Sequence, residues 1–122
     1  MCYIRAMKWK VVRYRRTNGE IPFDDFMAKL SVKDKARVIR TVDLLEMFGT
    51  ELREPYARKI RGADLWELRI RCGSNAYRVF YAGWKDRSFY LFHGFLKKAQ
   101  KTPRKELERA KGYLAEMKER SK

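Results

Sequence analysis

Between Leu65 and Ala82 apolar and charged side chains alternate on both sides of a glycine-containing turn, and this pattern restricts the fold more than any other stretch of the chain. In Leu65-Trp-Glu-Leu-Arg-Ile-Arg71 the apolar Trp66, Leu68 and Ile70 take turns with Glu67, Arg69 and Arg71. In Ala76-Tyr-Arg-Val-Phe-Tyr-Ala82, Tyr77, Val79 and Tyr81 share one side and Arg78 takes the other. A period of two marks a half-buried strand, because successive side chains leave opposite faces of a sheet. With Cys72-Gly-Ser-Asn75 as a four-residue turn, Arg71 pairs with Ala76, so Ile70 faces Tyr77, Leu68 faces Val79, Trp66 faces Tyr81 and Arg69 faces Arg78. Every apolar pair falls on one face. Arg69, Arg71 and Arg78 gather on the other, with only Glu67 to offset them. Like charges directly opposite each other destabilise a sheet, an arrangement that suits an anion as the intended occupant. A solvated outer face is the alternative, and the pairing alone does not separate the two.

The remaining elements follow from local signals. Trp9-Lys-Val-Val-Arg-Tyr14 is β-prone and ends in the Thr17-Asn18-Gly19 loop. Pro22 suits a first helical turn, and Phe23, Phe26, Met27 and Leu30 form one apolar stripe. Ser31 with Asp34 resembles a capping box, Val38, Val42 and Leu45 make the next stripe with Ile39 beside it, and Gly49 sits where a C-terminal glycine belongs, which predicts a helix over about 32–48. After Pro55 the helical period gives way to three or four strands. Loop Gly83–Ser88 leads to the last of them, Phe89–Phe95. Thr102 as N-cap and Pro103 at the first helical position then open a helix whose Leu107, Ala110, Leu114 and Met117 face the sheet, with Gly112 inside it.

At 122 residues the chain is long enough for one domain with one core, spanning 1–122, and no internal repeat or low-complexity linker divides it. It has no apolar run of about 18 residues, and its basic N-terminus lacks the apolar core of a signal peptide, so a cytoplasmic location is expected, with no membrane partner. Cys2, Cys72 and the single His93 give no metal-ligand spacing and no disulfide framework. Neither a metal nor a cofactor is expected. Thirty Lys and Arg against fifteen Asp and Glu leave a net charge of +15. The excess lies in 1–16 (six bases, no acids), 56–88 (eight against three) and 97–122 (ten against four), while 17–55 is close to neutral. Such a balance points to a polyanion, with a generally basic, soluble surface as the alternative.

Leu65-Trp-Glu-Leu-Arg69, Tyr77-Arg-Val-Phe-Tyr81, Leu91-Phe-His-Gly-Phe-Leu-Lys-Lys98 and Lys101-Thr-Pro103 before a basic helix resemble, in order and spacing, the phage-derived, HigB-like branch of the RelE/ParE toxin superfamily. The resemblance implies an α+β fold in which two N-terminal helices pack on a twisted antiparallel sheet, with a C-terminal helix. It also implies the toxin of a type II toxin–antitoxin pair that cuts messenger RNA on the ribosome, and a DNA-binding, HigA-like antitoxin as partner. A gyrase inhibitor of the ParE kind and a non-catalytic nucleic-acid-binding protein of phage origin are the other readings.

Carried over residue by residue, the RelE pattern puts catalytic cations at Arg69, Arg71 and Arg78. RelE itself has lysines at the first two of these positions. Arginine holds a phosphate bidentately but is a poor proton acceptor, so the proton transfers fall to His93 or to a lysine whose pKa is lowered by neighbouring cations, Lys97, Lys98 or Lys101. If His93 lies opposite Arg78 it joins the basic face; a slip of one residue turns it into the core. Lys97, Lys98 and Lys101 also read as solvated charges of a connection. Trp66, Tyr77 and Tyr81 read as core. Trp84, with Lys85 beside it, is a candidate for stacking on a base or for anchoring its own loop, and Arg13, Arg15 and Arg16 are candidates for holding the RNA backbone.

Overall fold

The computed structural model describes residues 9–98 and 100–121; Cys2 and the N-terminal stretch read above for a leader lie outside them. The elements are β1 (Lys10–Arg13), α1 (Pro22–Ala28), α2 (Val32–Phe48), a 3-10 turn (Gly49–Glu51), β2 (Ala57–Lys59), β3 (Trp66–Cys72), β4 (Asn75–Trp84), β5 (Ser88–Leu96) and α3 (Arg104–Arg120). The fold is mixed α+β, with the strands in one sheet of order β1-β5-β4-β3-β2.

The β3–β4 hairpin has the expected pairing, with Arg69 opposite Arg78, and it gains a Cys72–Asn75 pair that shortens the turn to Gly73 and Ser74. Two features correct the sequence expectation. The sheet is not wholly antiparallel, because β1 runs parallel to β5, from Lys10 beside Ser88 to Arg13 beside Leu91. The helices therefore follow a first strand that returns to the sheet as its edge. A strand pattern identifies a strand but not its distant partner. The second correction concerns β5. Arg78 faces Phe95 instead of His93, Val79 faces Gly94, and Tyr81 faces Leu91, so Phe92 and His93 together oppose Phe80. This is a β-bulge, one extra residue on one strand, and it directs both rings to the same side.

Each face of the sheet is covered by its own helices. Phe23 and Phe26 of α1 and Val38 and Leu45 of α2 pack on Leu68, Ile70, Tyr77, Val79, Tyr81 and Leu91. Ala110, Tyr113, Leu114 and Met117 of α3 pack on Phe80, Phe92 and Phe95 across the other face. Burying each such aromatic or aliphatic side chain contributes about 1.5–3 kcal/mol. Gly94 has no side chain because α1 lies against it: a Cβ there would sit 2.7 Å from the Phe26 ring.

The caps refine the helix readings. The Ser31 hydroxyl accepts from the Asp34 backbone N–H at 3.1 Å, but the Asp34 carboxylate accepts from the Tyr77 hydroxyl and leaves the capping box one-sided. On α2 the buried stripe is Val38, Thr41 and Leu45, and Ile39 is exposed. Pro103, not Thr102, is the cap residue of α3. The Thr102 hydroxyl is engaged elsewhere, donating to Glu67 Oε2 at 3.1 Å.

Gly49 ends α2 with φ 57°, and a Cβ there would lie 2.0 Å from Nε1 of Trp9. Gly49→Ala combines a left-handed backbone with overpacking against a rigid indole, each destabilising. We expect it to lower stability by about 2 kcal/mol or more, measured as a lower urea midpoint at unchanged slope.

Candidate functional site

On the face shared with α3, β3 and β4 present Arg69 and Arg78 directly opposite each other, at a Cβ separation of about 5 Å for such pairs. Arg78 is only 7% exposed. One of its terminal nitrogens donates to its own strand, to the Tyr77 carbonyl at 3.1 Å. Its Nε lies 3.6 Å from Glu67 Oε1 and has no hydrogen-bond partner. Glu67, 4% exposed, also lies 4.0 Å from Arg69 Nε, and the Thr102 hydroxyl bonds its second oxygen. Arg69 donates to Glu54 at 3.2 Å. Arg71 is exposed and has no ion pair among the described residues. Burial above all, and then Arg69, pull the Arg78 guanidinium below its ordinary pKa, Glu67 opposes this, and Arg71 and Arg58 add to it. Even so, an arginine stays charged at any accessible pH. A buried, incompletely partnered cation beside other cations is a site prepared for an anion.

Two cavities meet at this cluster. One, of about 490 Å³, is framed by α2, the Glu54–Tyr56 segment and the end of β3, and Arg37, Arg69, Arg71 and Arg78 line it. The other, of about 440 Å³, has Arg71, Arg78, Lys97, Lys98 and Gln100 in its wall. Arg71, Ala76 and Arg78 belong to both, so the cluster stands where two arms of a basic groove join. The first arm opens because β2 is only three residues long. Its last contact upstream is the Tyr56 carbonyl, which accepts from the Arg69 N–H at 2.8 Å, and beyond it the β3 edge is left to the cavity.

Lys97 continues the β4–β5 ladder by donating its backbone N–H to Ala76 at 2.7 Å, and its ammonium donates to the Gln100 carbonyl at 2.6 Å. Burial first, then Arg78 and Arg69, lower its pKa, with Glu67 opposing. Lys98 is exposed in the same arm. Lys101 is exposed and lines neither cavity.

The other sequence candidates lie elsewhere. His93 is on the Arg78 side of the sheet but beneath α3, 1% exposed, where its Nε2–H donates to Glu106 at 2.9 Å. The rings of Phe80, Phe95 and Tyr113 surround it, and Nδ1 is buried without a partner. Burial holds its pKa down, partly offset by the Glu106 bond, with Arg109 adding to the depression. Arg13 forms a two-pronged pair with Asp24 at 2.7 and 2.8 Å. Arg16 pairs with Glu20 and Glu116 at 3.0 and 3.4 Å and stacks over Tyr113. Arg15 is exposed. Trp84 ends β4, roughly 20 Å along the strand from Arg78; it packs against the α3 cluster with the Lys85 ammonium 5.5 Å from its ring.

The family model of Phage derived protein Gp49-like (DUF891) matches residues 25–114. The chain belongs to that family. The Gp49-like family is part of the RelE/HigB-like toxin superfamily, related to the RelE-type endoribonucleases, and a toxin of this kind implies an antitoxin partner. No curated protein matches the chain. The matched span contains the whole cation cluster of this chain. Among the described residues no helix is long and apolar enough to cross a membrane.

Several residues of this Gp49-like site were not singled out by the sequence. Arg37 was hidden because its segment, 17–55, is near neutral when summed. Glu67 was read as the charge that offsets the arginines but not as a buried one, and Arg58 lies on, and Tyr56 just before, a strand of only three residues. The one available signal was Pro55, which placed the next residues at the start of the sheet.

The His93 environment predicts a pH dependence. Its folded pKa lies below the ordinary 6.5, so the unfolded chain takes up a proton first and stability falls as pH drops below that value, by up to about 1.4 kcal/mol per pH unit. His93→Gln keeps a donor for Glu106 but does not titrate. Urea unfolding between pH 7 and 5, above the range where Asp34 and Glu116 titrate, should show a decline in the native chain and a flatter profile in the variant.

Proposed function

We propose that this Gp49-like chain is the toxin of a type II toxin–antitoxin pair and a metal-independent, ribosome-dependent messenger RNA endonuclease of the HigB-like kind, working in the cytoplasm. The observation that carries the reading is Arg78: a nearly buried guanidinium whose Nε makes no hydrogen bond and only a 3.6 Å ion pair with Glu67, standing where two cation-lined cavities join. One phosphodiester at that junction meets Arg69, Arg71 and Arg78 together.

The chemistry that this arrangement supports is attack of a ribose 2′-oxygen on the adjacent phosphorus. The 2′-O–P bond forms as the P–O5′ bond breaks, leaving a 2′,3′-cyclic phosphate and a free 5′-hydroxyl. The 2′-OH proton must be removed and the 5′-oxygen protonated. Arg78, Arg69 and Arg71 stabilise the negative charge that builds on the phosphoryl oxygens, in a pocket where burial strengthens each interaction. Lys97 has the lowered pKa and the position to exchange a proton at this linkage. Lys98 holds the strand that leaves through the second arm. In this reading His93 braces α3 on the sheet, and Arg13 and Arg16 serve ion pairs within the fold. A HigA-like antitoxin offering an acidic segment would fill the same groove and neutralise it.

Primer-extension mapping of transcripts after induction tests the proposal. The native chain should cut at codon-spaced positions. Arg78→Ala should reduce cutting by about 10²–10³-fold, the usual cost of losing one preorganised charge, while Arg78→Lys, which keeps the charge without the fork, should lose less. Intact transcripts with damaged DNA would replace the proposal by gyrase poisoning, and unaffected growth would replace it by a binding role.

A further inference from the structure

The cavity of about 490 Å³ is larger than one phosphate requires and falls in the range of roughly 300–1,000 Å³ that encloses small-molecule ligands. Besides Arg69, Arg71 and Arg78, its lining includes Arg37 and Tyr56. Building on the function proposed above, we infer that Tyr56 and Arg37 form a nucleotide subsite beside the scissile linkage, with the base of the neighbouring ribonucleotide stacked on the Tyr56 ring and its phosphate held by Arg37.

Tyr56 is 45% exposed while its backbone is pinned on both sides, the N–H donating to Arg53 at 2.9 Å and the carbonyl accepting from Arg69 at 2.8 Å. Among the described residues its ring has no aromatic or cationic neighbour and its hydroxyl no hydrogen bond. Trp9, Trp84 and Tyr113 differ, since Arg87, Lys85 and Arg16 lie over their rings. An aromatic fixed at its base and open at its face is what a stacking platform requires, and stacking accepts any of the bases. The charges around it set the direction. Glu54, beside Tyr56 on the cavity wall, repels phosphate and accepts from base N–H groups, whereas Arg37, exposed and without an ion pair among the described residues, attracts phosphate. The base is thereby turned to the Glu54–Tyr56 wall and the backbone to α2.

The test is equilibrium binding of the full chain, over a series of ionic strengths, to a short RNA whose central linkage is blocked by 2′-O-methylation and whose adjacent base is the fluorescent 2-aminopurine. Native protein should bind and quench the fluorophore. Tyr56→Ala should bind about tenfold more weakly with the quench lost, Tyr56→Trp should keep both, and Arg37→Ala should weaken binding while reducing the salt dependence by about one phosphate contact. Circular dichroism of each variant confirms that it is folded. Tyr56→Ala binding and quenching like the native chain, while Arg78→Ala still weakens binding, would overturn the subsite and leave the RNA-cleavage reading intact. No binding of this RNA by the native chain, with codon-spaced cutting on the ribosome still seen, would overturn the subsite alone; loss of both would overturn the reading it rests on as well.

Discussion

Two guanidinium groups placed opposite each other on neighbouring strands are the constraint around which this molecule is arranged. Arg69 and Arg78 share a cross-strand position in the β3–β4 hairpin, and such a pair is unfavourable until something answers the charge. The protein answers it in part. Glu67 is buried between the two arginines at 3.6 and 4.0 Å, and Glu54 takes the outer side of Arg69. Arg78 Nε is left without an acceptor, and Arg71 and Lys97 raise the positive potential further. The residual demand for an anion is the physical basis of the functional reading.

Keeping that cluster reachable depends on where α3 lies. Phe80, Phe92 and Phe95 draw it across β4 and β5, and the β-bulge that places Phe92 and His93 on one side adds the His93–Glu106 bond to its underside. At its entry, the Thr102 hydroxyl fastens the chain to Glu67. The helix thus covers the aromatic part of the face and stops short of the arginines. On the opposite face Tyr77 bonds Asp34, so the base of α2 is tied to the strand that carries Arg78, and Arg37 one turn later lines the groove. The packing that stabilises the fold and the positioning that builds the groove use the same contacts.

The parts legible in the sequence were those set by local period and turn chemistry. The pairing of Arg69 with Arg78 followed from strict alternation around Gly73, and the extent of α2 from Ser31 and Gly49. What was not legible depended on distant partners. The parallel docking of β1 on β5 leaves no trace in either strand alone. The bulge at Phe92 and His93 does not disturb an aromatic run that is apolar on both sides, so His93 could be placed on the basic face but not beneath α3. Arg13 and Arg16 looked available because their acids, Asp24 and Glu116, come from other elements, one of them a hundred residues on. Thr102 had the right type and place for a cap, and its hydroxyl found a buried carboxylate instead.

The central claim is that the cluster around Arg78 takes up a phosphate group. It is tested most directly by following the arginine Nε–H resonances of the ¹⁵N-labelled protein while titrating a short, cleavage-resistant RNA. The account predicts that the resonance of Arg78 moves first and furthest, with Arg69 and Arg71 close behind, while those of Arg13 and Arg16 stay in place. A titration in which the Arg78 resonance is unmoved at saturation, or in which Arg13 and Arg16 respond instead, would contradict it.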